Sequence, residues 1–303
     1  MKQAPVLLMT YIRSKNTKRI LDLIKKYNQK KIFVFNDGLK IKSHKNSHDD
    51  TKKVIFDFKK KNSDTQLIIS KKNLTQKNNL PFALSKVFQK HDNVIVLEDD
   101  CIPNKEFFKF CNILLEKYKS DTRIAQISGN NFLNFKKIKR RNNDSYFFSK
   151  FTSSWGWATW KDRWKNIYDK DMKDWPVVVS EKWLEDILID KNSIDFWSKY
   201  FNRRFKMLDD DWDRPWTYIN FINSRLTIFP SKNLISNIGD DQFALHKNPK
   251  KWDNLELEKL RFPLKHPKII VADLKYDRFV SSQGFTIPKL SYRIKNKLLK
   301  FLS

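Results

Sequence analysis

Apolar positions in the first 130 residues fall into short runs separated by amphipathic stretches, the rhythm of alternating strands and helices. Residues 6–11 (VLLMTY) read as a buried strand and 18–27 as an amphipathic helix. Residues 31–36 (KIFVFN) give a second strand, closed by the turn pair Asp37-Gly38, and 66–70 a third. Residues 81–89 suit a helix with Pro81 in its first turn. A short apolar strand, 93–97 (NVIVL), runs straight into three acids, Glu98-Asp99-Asp100. Residues 105–118 carry Phe107, Phe108, Cys111, Leu114, Leu115 and Tyr118 at helical spacing, and 124–128 is a further strand.

Repeated strand-then-helix units specify an α/β fold, Rossmann-like, with a mostly parallel central sheet flanked by helices. Ligands of such sheets sit beyond the carboxyl ends of the strands, where both Asp37 and the acidic triplet fall. From about residue 145 the pattern changes to Trp-rich helices and irregular segments, with no Gly/Ser linker and no internal repeat. The expected organisation is a ligand-binding half over 1–145, a second half over 146–288 fused to the same sheet, and a basic tail over 289–303.

Composition changes this picture little. The 303 residues include 61 Lys+Arg against 34 Asp+Glu, a formal net charge of +27, which fits an anionic partner or equally a lysine-rich compositional drift. The basic residues are spread along the chain without a nucleic-acid-binding motif, so no specific nucleic acid is expected. Two cysteines, Cys101 and Cys111, form neither a disulfide framework nor a zinc pattern and fit a reducing interior. The first apolar run is too short for a signal sequence or a membrane span, so the expected location is cytoplasmic. In the tail, Leu290, Ile294 and Leu298 recur at i, i+4 and i+8 among Lys and Arg. That suits a helix lying on an anionic membrane surface, here the inner face of the plasma membrane, or a helix docked on its own domain.

Three adjacent acids after an apolar strand repel one another. A divalent cation, Mn²⁺ or Mg²⁺, would relieve that cost and accept phosphate oxygens as further ligands. Taken alone, such a triplet is equally at home in a turn or at a helix start.

The string VIVLEDDCIPNKEFFKF resembles the acidic strand and following helix of GT-A glycosyltransferases. It is closest to the branch with the N-acetylglucosaminyltransferase of complex N-glycan synthesis and related bacterial sugar transferases. Further blocks follow in the same order: PVLLMTYIR, FVFNDG, SSWGWATWKDRW, WDRPW and FPSKNLISNIGDDQFALH. The resemblance implies transfer of a sugar from a nucleotide-sugar, UDP-linked by expectation, to a hydroxyl of a glycan or lipid-linked acceptor. Such a reaction, inverting by analogy, would serve cell-surface polysaccharide or lipopolysaccharide synthesis.

By that resemblance Asp100 is the metal ligand, with His246 a further ligand or a phosphate contact. Glu98 and Asp99 contact ribose or sugar hydroxyls and the ion's water shell, while Arg13 and Asp37 flank the nucleobase and ribose. Asp37 reads equally as an ordinary Asp-Gly turn residue.

Inversion needs a carboxylate to take the acceptor proton. Within Asp209-Asp210-Asp211-Trp212-Asp213, Asp213 fits the family motif best and Asp211 is second. The run also suits a cap on a helical stretch over 216–223. Of Trp155, Trp157, Trp160 and Trp164, most are expected to pack in the core, and Trp155 with Gly156 are the binding candidates. Two features depart from the family pattern: no small hydroxyl residue stands beside His246, and no glycine follows the third strand at Lys71-Lys72-Asn73. The competing readings are a non-catalytic binder of sugar-nucleotide or nucleic acid, and a nucleotidyltransferase. The latter would carry a Gly-rich loop after the first strand, where Tyr11-Ile12-Arg13-Ser14-Lys15 has none.

Overall fold

The structure, a computed structural model, describes residues 3–135, 143–188, 190–239 and 252–284. Its strands are β1 (Val6–Thr10), β2 (Ile32–Asn36), β3 (Gln66–Ile69), β4 (Asn93–Glu98), β5 (Cys101–Pro103), β6 (Ile124–Ser128), β7 (Tyr146–Ser149), β8 (Trp157–Trp160), β9 (Leu226–Pro230) and β10 (Ile235–Asn237). Its helices are α1 (Ser14–Lys26), α2 (Lys45–Lys61), α3 (Thr75–Val87), α4 (Lys105–Lys117), α5 (Lys161–Trp164), α6 (Trp175–Ser180), α7 (Leu184–Ile187), α8 (Lys191–Phe205), α9 (Asp213–Ile222) and α10 (Leu274–Gly284). Eight strands form the central sheet in the order β3-β2-β1-β4-β8-β6-β9-β7, and β5 and β10 make a separate antiparallel pair. Among the central strands only β8 and β7 run against the others, so the sheet is mostly parallel, as expected.

The continuous apolar runs of β1 and β2 are buried at every residue because both faces of the sheet are covered. Side chains alternate: Val6, Leu8, Ile32, Val34, Ile95 and Leu97 pack on one face with α1, α2 and α4. Leu7, Met9, Phe33, Phe35, Val94 and Val96 pack on the other with α3, Trp157, Trp164, Trp212 and Trp216. A third cluster joins α6, α8, α9 and α10 through Trp175, Trp197, Phe201 and Tyr218. Helix α4 is capped by Asn104, whose side chain accepts from the Phe107 amide at 3.0 Å.

Several local expectations are corrected. Helix α3 begins at Thr75, and Pro81 lies inside it. The cause is not local: Asp210, far along the chain, accepts from Thr75 Oγ1 and the Lys77 amide at 2.9 and 3.1 Å. Helix α2 has no counterpart among the sequence expectations, because its buried stripe is His48, Thr51, Ile55 and Phe58, half of it polar. The second half is not only helical and irregular, since β7, β8 and β9 all join the central sheet. Trp157 and Trp160 therefore lie on strand β8 instead of a helix, and with Trp164 they are core residues. The tail over 289–303 and His246 lie outside the described residues. Among those described, no helix is long and apolar enough to cross a membrane.

Candidate active site

Parallel pairing sets three strand ends level. Met9 of β1 pairs with Glu98 of β4, and Thr10 with Asn36 of β2, so Tyr11, Asp37 and Asp99 all follow at the carboxyl edge. There Asp99 accepts from the Tyr11 amide at 3.3 Å and from Arg13 Nη1 at 3.1 Å. The same guanidinium nitrogen lies 3.5 Å from Asp100 Oδ2. On the far side, the Ile238 amide donates to the Asp100 carbonyl at 2.8 Å, and the Cys101 thiol donates to Asp100 Oδ1 at 3.4 Å. Gly239 closes against the carboxylate, for a Cβ there would lie 2.6 Å from Asp100 Oδ2. Arg13 and the three acids thus form one cluster.

The cluster is electrostatically loaded. Burial first, then the charges of Asp100, Asp213 and Asp99, push the Glu98 carboxyl well above its ordinary range, with Arg13 opposing. Asp99 is pushed up to about 6 by burial, with Asp100 adding to the rise and Arg13 holding it down. Burial and the neighbouring Asp100 and Glu98 also raise the Cys101 thiol, which stays protonated at neutral pH.

Asp213, in the first turn of α9, lies near enough to the triplet for its charge to contribute to Glu98's rise. Trp212 stacks on Trp157 with ring centroids 5.4 Å apart, and Trp157 pairs with Val96 on β4. The neighbouring acids are sorted to other tasks. Asp209 pairs with Arg203 at 2.7 Å and with Arg214, and both arginines lower its carboxyl. Asp210 starts α3, as above. Asp211 lies 3.0 Å from Arg214 and 3.9 Å from Arg204, yet burial and the charge of Asp213 push it up to about 7. The Asp213 carboxylate has no hydrogen-bond or ion-pair partner among the described residues, and Trp212 at the helix start makes no side-chain cap. Asp211 Oδ1 does accept from the Arg214 amide at 3.3 Å, so the capping expectation holds for that acid, and Asp213 lies in the same first turn.

Asp37 is buried and already engaged. Its Oδ1 accepts from the Gly38 and Leu74 amides at 2.8 and 2.9 Å, and its Oδ2 from Asn73 Nδ2 at 3.3 Å. Burial still raises its carboxyl above the usual value. Gly38, just after β2, packs directly on the segment that follows β3, where a Cβ would lie 2.3 Å from the Lys72 carbonyl carbon. Gly156, at φ +60°, leaves no room for a Cβ, which would meet Ile235 at 2.5 Å. Trp155 is half-buried, its ring edge-on to Phe132 at 5.7 Å. Gly156 thus shapes the backbone beside Leu97, while Trp155 packs between the first and third core clusters.

Two groups were not foreseen. Tyr11, at the end of β1, sits against the rings of His44 and His48 at 6.2 and 5.8 Å and receives the Lys40 amide at 2.9 Å. Gln126, wholly buried in β6, accepts from Trp216 Nε1 at 2.8 Å and donates to the Ser153 carbonyl. Thr152 bonds Thr217, which donates to the Asp213 carbonyl at 3.0 Å. These bonds fasten the first turn of α9 to the loop before Gly156. The signal in the sequence was a lone glutamine inside the apolar run IAQIS, a burial that costs stability unless both ends of its amide are bonded.

All the candidate donors at the triplet are oxygens, the chemistry of a hard divalent cation. Among the described residues no group of three His, Cys, Asp or Glu could hold a metal by itself.

No protein-family model matches the chain, and no curated protein sequence matches it. Solved structures do. A mannosyltransferase from Pyrobaculum calidifontis, determined with GDP-Man and Mn²⁺, matches 74% of this chain and 70% of its own at 10% identity and a TM-score of 0.40. A 4-diphosphocytidyl-2C-methyl-D-erythritol synthase from Anaerococcus prevotii matches 69% and 84% at 11% identity, TM-score 0.34. A protein assigned as a glucose-1-phosphate thymidylyltransferase, from Bacillus anthracis, matches 46% and 61% at 8% identity, TM-score 0.28. Likenesses this remote assign no activity.

Proposed function

We propose that the chain is a glycosyltransferase using a nucleotide-sugar, UDP-linked by the resemblance of its Arg13 and Asp37 blocks, and a divalent cation at Asp100. The acceptor is a hydroxyl of a glycan or lipid-linked glycan of the cell surface. The observation that carries the reading is Asp213: among the described residues its carboxylate has no hydrogen-bond or ion-pair partner, and its charge acts on Glu98 at the carboxyl ends of the strands.

In this reading Asp213 takes the proton of the acceptor hydroxyl as its oxygen attacks the anomeric carbon from the face opposite the leaving group. The bond from that carbon to the diphosphate breaks, and its electron pair leaves with the diphosphate. A bound divalent cation supplies charge neutralisation for that leaving group. Arg13 holds Asp99 and Asp100 in place, and Glu98, whose carboxyl burial keeps protonated more readily than usual, is suited to donate a hydrogen bond to a sugar or ribose oxygen.

The test is a thermal-shift panel of nucleoside diphosphates and nucleotide-sugars with and without Mn²⁺. A ligand that binds only the folded protein at 100 times its Kd stabilises it by about 2.7 kcal/mol. At least one nucleotide should therefore raise the melting temperature in a cation-dependent way. No cation-dependent shift with any of them overturns the reading.

A further inference from the structure

Residues 261–278 present a surface that the transfer reaction does not use. The exposed stretch before α10 alternates: Ile269 and Val271 are 72% and 61% exposed, whereas Ile270 packs against the core and Ala272 bridges to Phe148 of β7. Period-two alternation puts the two exposed aliphatics on one outward face. Leu274, 38% exposed, opens α10 next to them. The Asp273 amide donates to the Phe148 carbonyl at 2.7 Å, pinning this strip along the outer strand of the sheet.

Charge is arranged around that strip with one sign outward. Arg261, Lys265, Lys268, Lys275 and Arg278 are all exposed. The two acids of the same stretch are used internally. Asp273 accepts from the Lys275 and Tyr276 amides at 3.0 and 3.3 Å, starting α10. Asp277 is buried and accepts from the Ser149 hydroxyl at 2.5 Å and the Lys150 amide at 3.3 Å. A recess of about 430 Å³, walled by Arg123, Lys150, Leu226, Val271 and Leu274, opens beside the strip. A second exposed apolar group, Val177, Val179 and Trp183, lacks this arrangement, since exposed Glu181, Glu185 and Asp186 share its segment.

We propose that residues 261–278 dock the protein on an anionic lipid bilayer, with Ile269, Val271 and Leu274 entering the headgroup layer and the five cations meeting its charge. Aliphatic side chains on a rigid, sheet-anchored strip gain from leaving water, and a ring of Lys and Arg gains from anionic lipid. A purely ionic partner would explain the cations but not the aliphatics left in water. The recess lies by Arg123 and Ser224, which precede β6 and β9, at the end of the sheet opposite Glu98. The strip itself runs along the β7 edge of the sheet, from Lys265 beside Ser145 to Ala272 beside Phe148, so attachment there is by that edge. The docking does not depend on the transfer reaction, so its failure leaves that proposal standing.

The experiment is co-sedimentation of the full chain with vesicles of neutral lipid or of neutral lipid mixed with phosphatidylglycerol. Binding is expected only to the anionic vesicles and should weaken as salt rises. Ile269→Ser with Val271→Ser should lower the vesicle affinity about tenfold or more, from the lost apolar burial. Lys268→Glu with Lys275→Glu should lower it about tenfold or more, through lost charge. Val177→Ser with Trp183→Ser should bind as the parent does. All the changes fall on exposed side chains, and unchanged melting temperatures would show that folding is intact. No binding by the parent, equal binding by the Ile269/Val271 variant, or an equal loss in the Val177/Trp183 control overturns the proposal.

Discussion

Asp209, Asp210 and Asp211 are each given a cation or a helix start, whereas Asp99 and Asp100 share Arg13 and Glu98 is crowded by both. The two acidic runs face each other at the same end of the sheet, yet one has been discharged by its surroundings and the other has not. Like charges about 5 Å apart repel by roughly 3 kcal/mol at an effective dielectric of ~20. Within the chain, Arg13 offsets part of that cost and burial offsets more by favouring the protonated Glu98 carboxyl. The difference separates acids held by cations or helix starts from acids crowded by burial and by one another, and among the described residues the Asp213 carboxylate has no ion-pair partner.

The sharpest way to break the comparison is Asp213→Asn. If Asp213 is the base, transfer should fall by about 10²–10⁴-fold, the usual contribution of a positioned base. Nucleotide-dependent thermal shifts should stay as in the parent, because the change removes charge and little shape. Retained turnover would return Asp213 to the structural acids and leave Asp211 as the candidate.

A smaller effect is expected at Asp209, which two arginines hold. Asp209→Ala should cost about 1–2 kcal/mol at neutral pH, more than a lone surface pair because a small network is broken. Arg203 and Arg214 lower the folded pKa of Asp209 below its unfolded value. Its stabilisation is then fully present above the unfolded value, near 3.9, and disappears as pH falls through the lower folded one. Urea unfolding of parent and variant should therefore differ at pH 7 and converge in acid. A gap that persists unchanged at low pH would mean the loss is packing, not charge.

What the chain made legible follows the same division between local and distant causes. The parallel strands up to β6 and helices α1 and α4 are readable because their burial is written in consecutive residues. Strand β8 was not, for WATW is four residues long and becomes a strand only by pairing between β4 and β6. The start of α3 was hidden because its partner, Asp210, is over a hundred residues away. At the site, the acids could be listed from the sequence, and Arg13 does meet Asp99 and Asp100 as one cluster. Which acid of the second run is free could not be read, since Arg203, Arg204 and Arg214 reach it from two helices.

The smallest change expected, and the one of opposite sign, is at Asp100. In the absence of ligand, its charge raises Glu98, Asp99 and Cys101, and its own contact with Arg13 is long at 3.5 Å. Asp100→Asn keeps the side chain's shape beside Gly239 and removes the repulsion, so the ligand-free protein should gain about 0.5–1 kcal/mol, most of the Coulomb cost being screened. The same variant should lose any stabilisation that nucleotide and Mn²⁺ give together, since the cation's carboxylate is gone. Calorimetry with and without the pair measures both. A lower melting temperature without ligand would show that Asp100 is a structural acid like Asp209, and the contrast between the two runs would fall with it.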